Sequence, residues 1–269
     1  MHNPIPYYPL VVLGATFAGL GAAYSRIDET LVLERSALVG YEYINSYRPG
    51  DGWHETKLSE RGEDLKAELV RRQILGEDGR VHIPAVAPVM YNRITHDKLQ
   101  LQFHTEVTAI DEHEQGWEIT IYSPSGFSRM LAGAILDTRP EHAPEGAITG
   151  KRLGAMLNCG TDEPELPGEE QLGVQFVRGK LAGEVMAQLR IDTGDDWPSA
   201  RHKLHELWTN RPEAWQAWTL SAVAGYFNYE GRPKVPTWTE RRADLLSYAY
   251  PNPLAALEAG IRTGRELTI

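Results

Sequence analysis

Residues 9–14, Pro-Leu-Val-Val-Leu-Gly, form a short apolar run with no polar alternation, the pattern of a strand buried on both faces. Residues 17–26 are rich in alanine and glycine and predict a helix; residues 30–34, Thr-Leu-Val-Leu-Glu, repeat the buried-strand pattern. Strand, helix and strand in so short a span imply a β-α-β unit with parallel strands and a right-handed crossover. Residues 36–56 predict a loop carrying four Tyr or Trp rings. Ser59 then reads as a helix cap, with Leu65, Leu69, Val70 and Ile74 on one face of the helix behind it.

Strict alternation in Leu-Gln-Leu-Gln-Phe (99–103) predicts a half-buried strand. Residues 106–110, 117–122 and 130–137 predict further strands separated by polar turns, so the middle of the chain reads as a β-meander returning to a buried strand. Residues 139–170, rich in Pro, Gly, Glu and Asp, predict a crossing into a second lobe. Residues 173–191 read as one long or two short strands. Trp197, Ala200, Leu204, Leu207 and Trp208 have helical spacing, and residues 218–230 fit helix or strand equally. Residues 252–267 predict a helix capped by Asn252, with Pro253 at its first position.

The chain has 269 residues, 42% of them hydrophobic, enough for one large domain or two packed ones. A formal net charge of −10, without a compensating basic block, argues against nucleic-acid binding. Cys159 stands alone, which excludes an internal disulfide, a Cys-x-x-Cys redox pair and a cysteine zinc site. Residues 1–10 lack a signal-peptide pattern, and no apolar run reaches the ~20 residues of a membrane span. A soluble cytoplasmic protein without membrane partners is the expectation.

Chemistry concentrates in the turn after the first strand. A dinucleotide-binding turn needs a sharp reversal, close approach of backbone amides to a diphosphate at a helix N-terminus, and tight packing of that helix on the sheet. Gly14 supplies the reversal and Gly19 the packing; Thr16 stands where the pattern has its middle glycine, as a small hydroxyl residue able to donate to a phosphate. Ala15, Phe17 and Ala18 complete the turn. Glu34 ends the second strand 20 residues after Gly14, where a carboxylate takes a ribose hydroxyl.

Residues 11–24 with Thr30–Ser36 resemble the amino-terminal fingerprint of FAD-dependent oxidoreductases of the glutathione-reductase-like (GR2-type) fold. The resemblance is carried by Gly19-Leu20-x-Ala22-Ala23 and by the Glu34-Arg35 pair. It extends loosely to residues 104–141, where it implies adenine contacts near Val107. It also takes in the last helix, where Asn252, Pro253 and Leu254 occupy the place that faces the flavin in the family. The chain departs from the family at Asp137-Thr138-Arg139, usually Ala-Thr-Gly, and lacks the Gly-Asp pair that usually precedes the last helix. The fold implied is α/β: a parallel, doubly wound FAD-binding sheet with a β-meander, and a smaller β-rich substrate lobe. The FAD-binding region would comprise residues 1–75, 97–145 and 245–269, and the lobe residues 76–96 and 146–244.

The resemblance implies FAD as cofactor. A single nucleotide motif, and one cysteine, leave an oxidase or dehydrogenase taking a hydride from a small organic donor such as an amine or amino acid. Tyr41, Tyr43, Asn45, His82, Tyr226 and Asn228 are the substrate-side candidates, each also readable as structural. His202 and His205, with Glu206 beside them, read as a solvated helix face rather than half a metal site, and Cys159 as a buried apolar residue. The acidic stretch 160–170 reads as a solvated loop. A flavin-dependent monooxygenase, an NAD-dependent Rossmann dehydrogenase, a methyltransferase and a non-catalytic nucleotide-binding subunit stay open as alternatives. So does a site completed by a second copy or a partner subunit.

Overall fold

A computed structural model describes residues 5–167, 170–233, 236 and 238–267. In chain order its elements begin with β1 (Tyr7–Leu13), α1 (Phe17–Ser25), β2 (Thr30–Leu33), α2 (Glu60–Arg71), α3 (Val86–His96), β3 (Leu101–Gln102), β4 (Glu106–His113), β5 (Gly116–Ser123) and β6 (Gly126–Asp137). They continue with β7 (Ile148–Asn158), β8 (Val174–Arg178), β9 (Glu184–Ile191), α4 (Trp197–Thr209), β10 (Thr219–Gly231), β11 (Arg242–Asp244) and α5 (Pro253–Glu266). Contacts gather the chain into two units. The first is Met1–Gly40, Met90–Pro144 and Pro233–Ile269; the second is Tyr41–Val89 and Glu145–Arg232, so residues 41–75 fall in the second.

The first unit is built on one mixed sheet in the order β3-β2-β1-β6-β5-β4, with β11 beside β6. The pairs β1–β2, β2–β3, β1–β6 and β6–β11 are parallel, and the meander β4–β5–β6 is antiparallel. Leu10 to Leu13 have no exposed surface, as the unbroken apolar run requires of a central strand. The register sets Leu13 abreast of both Leu33 and Asp137. The residues that follow, Gly14, Glu34 and Thr138, therefore leave the sheet side by side at the carboxyl ends of parallel strands, where ligands bind in open α/β sheets.

Helix α1 is buried from Phe17 to Tyr24, and its small residues let α5 approach backbone to backbone. A Cβ on Gly21 would lie 2.1 Å from the Leu257 carbonyl oxygen, and one on Gly260 1.9 Å from that of Ala18. The second unit carries an antiparallel sheet in the order β10-β7-β9-β8. Its apolar cluster includes Leu153, Ala155, Val185, Trp215 and Trp218, with Trp197 and Leu204 of α4 packed in.

The structure departs from the sequence pattern in several places. The strand expected over 99–103 shrinks to Leu101–Gln102, in a segment flanked by Lys98 and His104 at left-handed φ of 56° and 51°. Helix α2 ends at Arg71; Gln73, at φ 59°, turns the chain, so Ile74 lies outside the helix and Val70 is 38% exposed. Residues 139–170 are not only a crossing, since they contain β7, an inner strand of the second sheet. Residues 173–191 form two strands, and residues 218–230 resolve as β10. Helix α3 and strand β11 carry no clear sequence signal; Pro88 in α3 sits in the first turn, where its missing N–H costs nothing. Of the acidic stretch 160–170, Gly168 and Glu169 lie outside the described residues.

Candidate functional site

Gly14, at φ 96°, reverses the chain directly after β1. A Cβ on Gly19 would sit 2.3 Å from the Gly14 carbonyl oxygen, so the turn closes this tightly only with glycine there. Thr16 is the N-cap of α1: its hydroxyl accepts from the Gly19 amide at 3.0 Å and donates to the Thr138 hydroxyl at 2.8 Å. Thr138 in turn reaches back to the Leu13 and Gly14 carbonyls at 2.9 and 3.2 Å. Its proton thus committed, the Thr16 hydroxyl ties β1, α1 and the end of β6 together instead of facing a phosphate.

Glu34 lies beside this turn, 2% exposed. One carboxylate oxygen accepts from the Ala15 amide at 2.9 Å; the other accepts from the Ser36 amide and hydroxyl at 2.8 and 2.6 Å. The Ala18 amide, in the first turn of α1, donates to Ser247 Oγ at 3.1 Å, and the Gly40 amide donates to the Ala15 carbonyl at 2.8 Å. The Phe17 ring lies against Gly40, where a Cβ would come within 2.3 Å of it. Ala15, Thr16, Phe17 and Ala18 all have zero exposure. The amides of Ala15, Ala18 and Gly19 are all held by the chain's own oxygens, so the turn is closed on itself.

The other cofactor candidates divide. Arg35 pairs with Glu141 at 3.1 Å and is half-exposed. Val107 pairs with Ile121 across β4–β5 and packs on the apolar cluster of Val11, Leu13 and Leu31. Asn252 caps α5, its Oδ1 accepting from the Ala255 amide at 2.8 Å; it is fully buried, as is Leu254, and Pro253 opens the helix as expected. At the end of β6, Arg139 folds back on Asp137 with two bonds of 3.0 and 2.7 Å to the carboxylate. Asp244 of β11 lies abreast of Asp137, and partial desolvation, then the neighbouring Asp137 charge, raise its pKa above the usual aspartate value.

The substrate-side candidates all belong to the second unit, and the structure brings several together. In β10, residues 224–226 bulge out opposite Gly154, and the Gly225 and Tyr226 amides both donate to the Asn45 carbonyl, at 3.0 and 3.1 Å. The bulge places Tyr226 against Tyr41, with ring centroids 4.5 Å apart. A Cβ on Gly154 would lie 2.0 Å from the Ser46 carbonyl, so glycine lets this loop lie on the sheet. Asn228 donates to Gln188, which donates to the Tyr47 carbonyl at 2.7 Å. Tyr43 is buried under the Arg48 guanidinium. His82 stands apart from this cluster: its Nδ1 meets Glu184 Oε1 at 2.6 Å, and Glu184 is buried. His202 pairs with Glu206 on an exposed helix face, and burial pushes the Cys159 thiol up to about 11.

Sequence patterning missed Ser36, Gly40, Ser247 and Glu184. Ser36 and Gly40 follow closely enough on Glu34 to be suspected as turn residues. Ser247 reaches Ala18 across 229 positions and Glu184 reaches His82 across 102, separations at which no local pattern points to a partner.

No protein-family model and no curated protein matches the chain. Solved structures do share its fold. Glycine oxidase from Geobacillus kaustophilus is 14% identical with a TM-score of 0.62, the match covering 95% of this chain and 93% of that one. Aklavinone-11 hydroxylase, in a ternary complex with FAD and aklavinone, is 14% identical with a TM-score of 0.59, over 99% of this chain and 62% of that one. p-Nitrophenol 4-monooxygenase PnpA from Pseudomonas putida DLL-E4 is 15% identical with a TM-score of 0.56, over 97% and 78%. The chain therefore has the α/β fold of these oxidoreductases, with its parallel-rich sheet and separate antiparallel sheet. No helix among the described residues is long and apolar enough to cross a membrane.

Proposed function

We propose that the chain is an FAD-dependent oxidoreductase acting on a small organic donor. The observation that carries this is the alignment of Gly14, Glu34 and Thr138 at the carboxyl ends of three adjacent parallel strands, with Glu34 Oε2 2.9 Å from the Ala15 amide. A carboxylate at that place suits the ribose of FAD, and the start of α1 suits the diphosphate. When bound, FAD supplies the hydride chemistry; the protein supplies binding, orientation and exclusion of water. Gly14 to Gly19 and Glu34 would hold the cofactor. In the second unit, Tyr41 and Tyr226 are the proposed substrate contacts.

An amine or amino-acid donor is favoured by the match to glycine oxidase, which spans nearly the whole of both chains. The second reading, a flavin-dependent monooxygenase, is favoured by the matches to aklavinone-11 hydroxylase and p-nitrophenol 4-monooxygenase. Incubation with FAD, removal of free flavin and a visible spectrum test the cofactor; a protein that retains no flavin absorbance overturns it. Anaerobic bleaching of the bound flavin by an amino acid alone supports the oxidase. Bleaching only by a reduced nicotinamide, accelerated by a phenol, supports the monooxygenase.

A further inference from the structure

On the second sheet, Gln188 of β9 stands opposite Gly154 and Asn228 of β10 opposite Arg152, all on the face that the 41–47 segment covers. The backbone dictates which way the two side-chain amides point. Gln188 lies 2.7 Å from the Tyr47 carbonyl and 3.4 Å from that of Ser46. A carbonyl only accepts, so the Gln188 nitrogen faces them and the Gln188 oxygen faces Asn228. That oxygen in turn requires the Asn228 nitrogen, at 3.0 Å. Exchanging oxygen and nitrogen in either amide would set like atoms against each other. Asn228 Oδ1 is the atom left over, and it meets no hydrogen-bond partner among the described residues.

Asn228 is only 6% exposed, and Oδ1 itself is buried. An acceptor left unmade in such a place is costly, so it marks a position that a donor from outside the chain completes. Arg152 does not supply that donor: its guanidinium turns to Glu230, Glu170 and the Gln188 carbonyl. Two residues along β10, the bulge sets Tyr226 against Tyr41. One segment holds both features, since the Asn45 carbonyl takes the Gly225 and Tyr226 amides while those of Ser46 and Tyr47 take Gln188. Gly225 is exposed, and Asn45 and Tyr226 are partly so, which brings the bulge to the surface beside the buried acceptor.

On the reading that Tyr41 and Tyr226 contact a small organic donor, we propose that Asn228 Oδ1 is the specificity-determining acceptor of that site. It takes a hydrogen bond from an N–H or O–H group of the substrate, while the two rings hold the apolar body that carries the group. A molecule of the same shape with no such group leaves the acceptor unpaired and is rejected. The amino group of an amine and the hydroxyl of a phenol share this chemistry. Gln188 is the positioning residue that keeps the Asn228 oxygen turned to the ligand.

The test uses the full chain loaded with FAD, its flavin read from the visible spectrum, and calorimetric titration with two pairs of probes. Phenol is set against fluorobenzene and benzylamine against ethylbenzene, the second of each pair similar in shape but without an N–H or O–H. In the wild type, phenol or benzylamine is expected to bind more tightly than its match, the reverse of what burying an unpaired polar group gives; this measurement needs no variant. In Asn228→Leu that preference is expected to fall roughly 3- to 10-fold. The loss of the Gln188 bond in the variant weakens both members of a pair alike and cancels in the ratio. Whichever pair shows the preference identifies the hydroxyl or the amine as the source of the donor. Apolar probes that bind as tightly as their matches to the wild type overturn the proposal, and a buried water only then completes Oδ1. A preference that Asn228→Leu retains overturns it too, by placing the donor group elsewhere. Retained flavin with no binding of any probe overturns the role of Asn228 and leaves the FAD reading standing. A chain that retains no flavin overturns that reading, and the proposal with it.

Discussion

Thr16 shows how one residue changes the use of a familiar turn. A glycine there would leave room beside the backbone; threonine fills that room and makes two bonds, to Gly19 and Thr138. Thr16→Val keeps the shape and removes both. The expected loss is about 1–2 kcal/mol, read as a lower urea midpoint with an unchanged slope. An unchanged midpoint would mean that the hydroxyl contributes no stability. Asp244 carries a prediction in pH. Asp244 is exposed to solvent at the end of β11, and partial desolvation first and the Asp137 charge second raise its pKa, so the folded state holds this proton somewhat more tightly than the unfolded chain does. The stability that follows is fully present below the usual aspartate pKa and is lost as pH rises through the folded value. Asp244→Asn escapes that loss, so its melting temperature should exceed the wild type's at pH 7, with the gap closing towards pH 3. A gap that persists at pH 3 would point to packing instead of ionisation. The position of Glu34 was legible from spacing, because strand, turn and helix lengths fix it. Its bonding was not, because its partners Ala15 and Ser36 offer backbone amides that every residue carries.

At the scale of elements, pattern reading succeeds where burial and apolarity coincide, as in β1, β2 and α1, and fails at β7. That strand contains Lys151 and Arg152, which polarity assigns to the surface, yet they are only 6% and 5% exposed. Arg152 is held by Glu230 at 2.5 Å, by Glu170 at 3.0 Å and by the Gln188 carbonyl at 3.2 Å. Lys151 Nζ lies 3.9 Å over the Phe227 ring and bonds the Asp195 carbonyl, and burial lowers its pKa. Charges are buried when paired, and the partners lie far along the chain, so local polarity misleads. Arg152→Met keeps the bulk and strands two partly exposed glutamates; the expected cost is about 1–2 kcal/mol in urea unfolding. A neutral result would make the network replaceable by packing. The contact between α1 and α5 gives a sharper case. Gly260→Ala puts a methyl 1.9 Å from the Ala18 carbonyl and forces backbone apart, for an expected loss of at least about 2 kcal/mol. Gly194→Ala meets nothing within 4 Å and should stay within about 0.5 kcal/mol of wild type. Equal losses in the two variants would place the cause in glycine's flexibility, not in the helix contact.

For the whole molecule, topology was more legible than function. A β-α-β start, a meander and a returning strand constrain a sheet to few arrangements, because parallel crossovers have one hand and neighbouring elements pack together. The fold that results serves many chemistries, so function has to be argued from the site. At this site the distinguishing question is which ligand the Gly14–Gly19 turn accepts, since FAD, NAD and a methyl donor all suit a glycine turn followed by an acid. Binding to the native state alone raises stability by mass action, about 2.7 kcal/mol at a ligand concentration 100 times Kd. For a chain of this size that corresponds to a rise in melting temperature of roughly 5–10 °C. Thermal melts with FAD, with NAD and with S-adenosylmethionine at equal concentration therefore separate the alternatives without knowledge of the substrate. FAD should raise Tm by several degrees and the other two should leave it in place. Glu34→Gln, which keeps the shape of the side chain while removing the charge proposed to hold a ribose, should reduce the FAD shift by at least half. A shift with NAD alone would assign the turn to a nicotinamide dehydrogenase. A shift with FAD that Glu34→Gln leaves whole would move the cofactor away from the turn on which the proposed function depends.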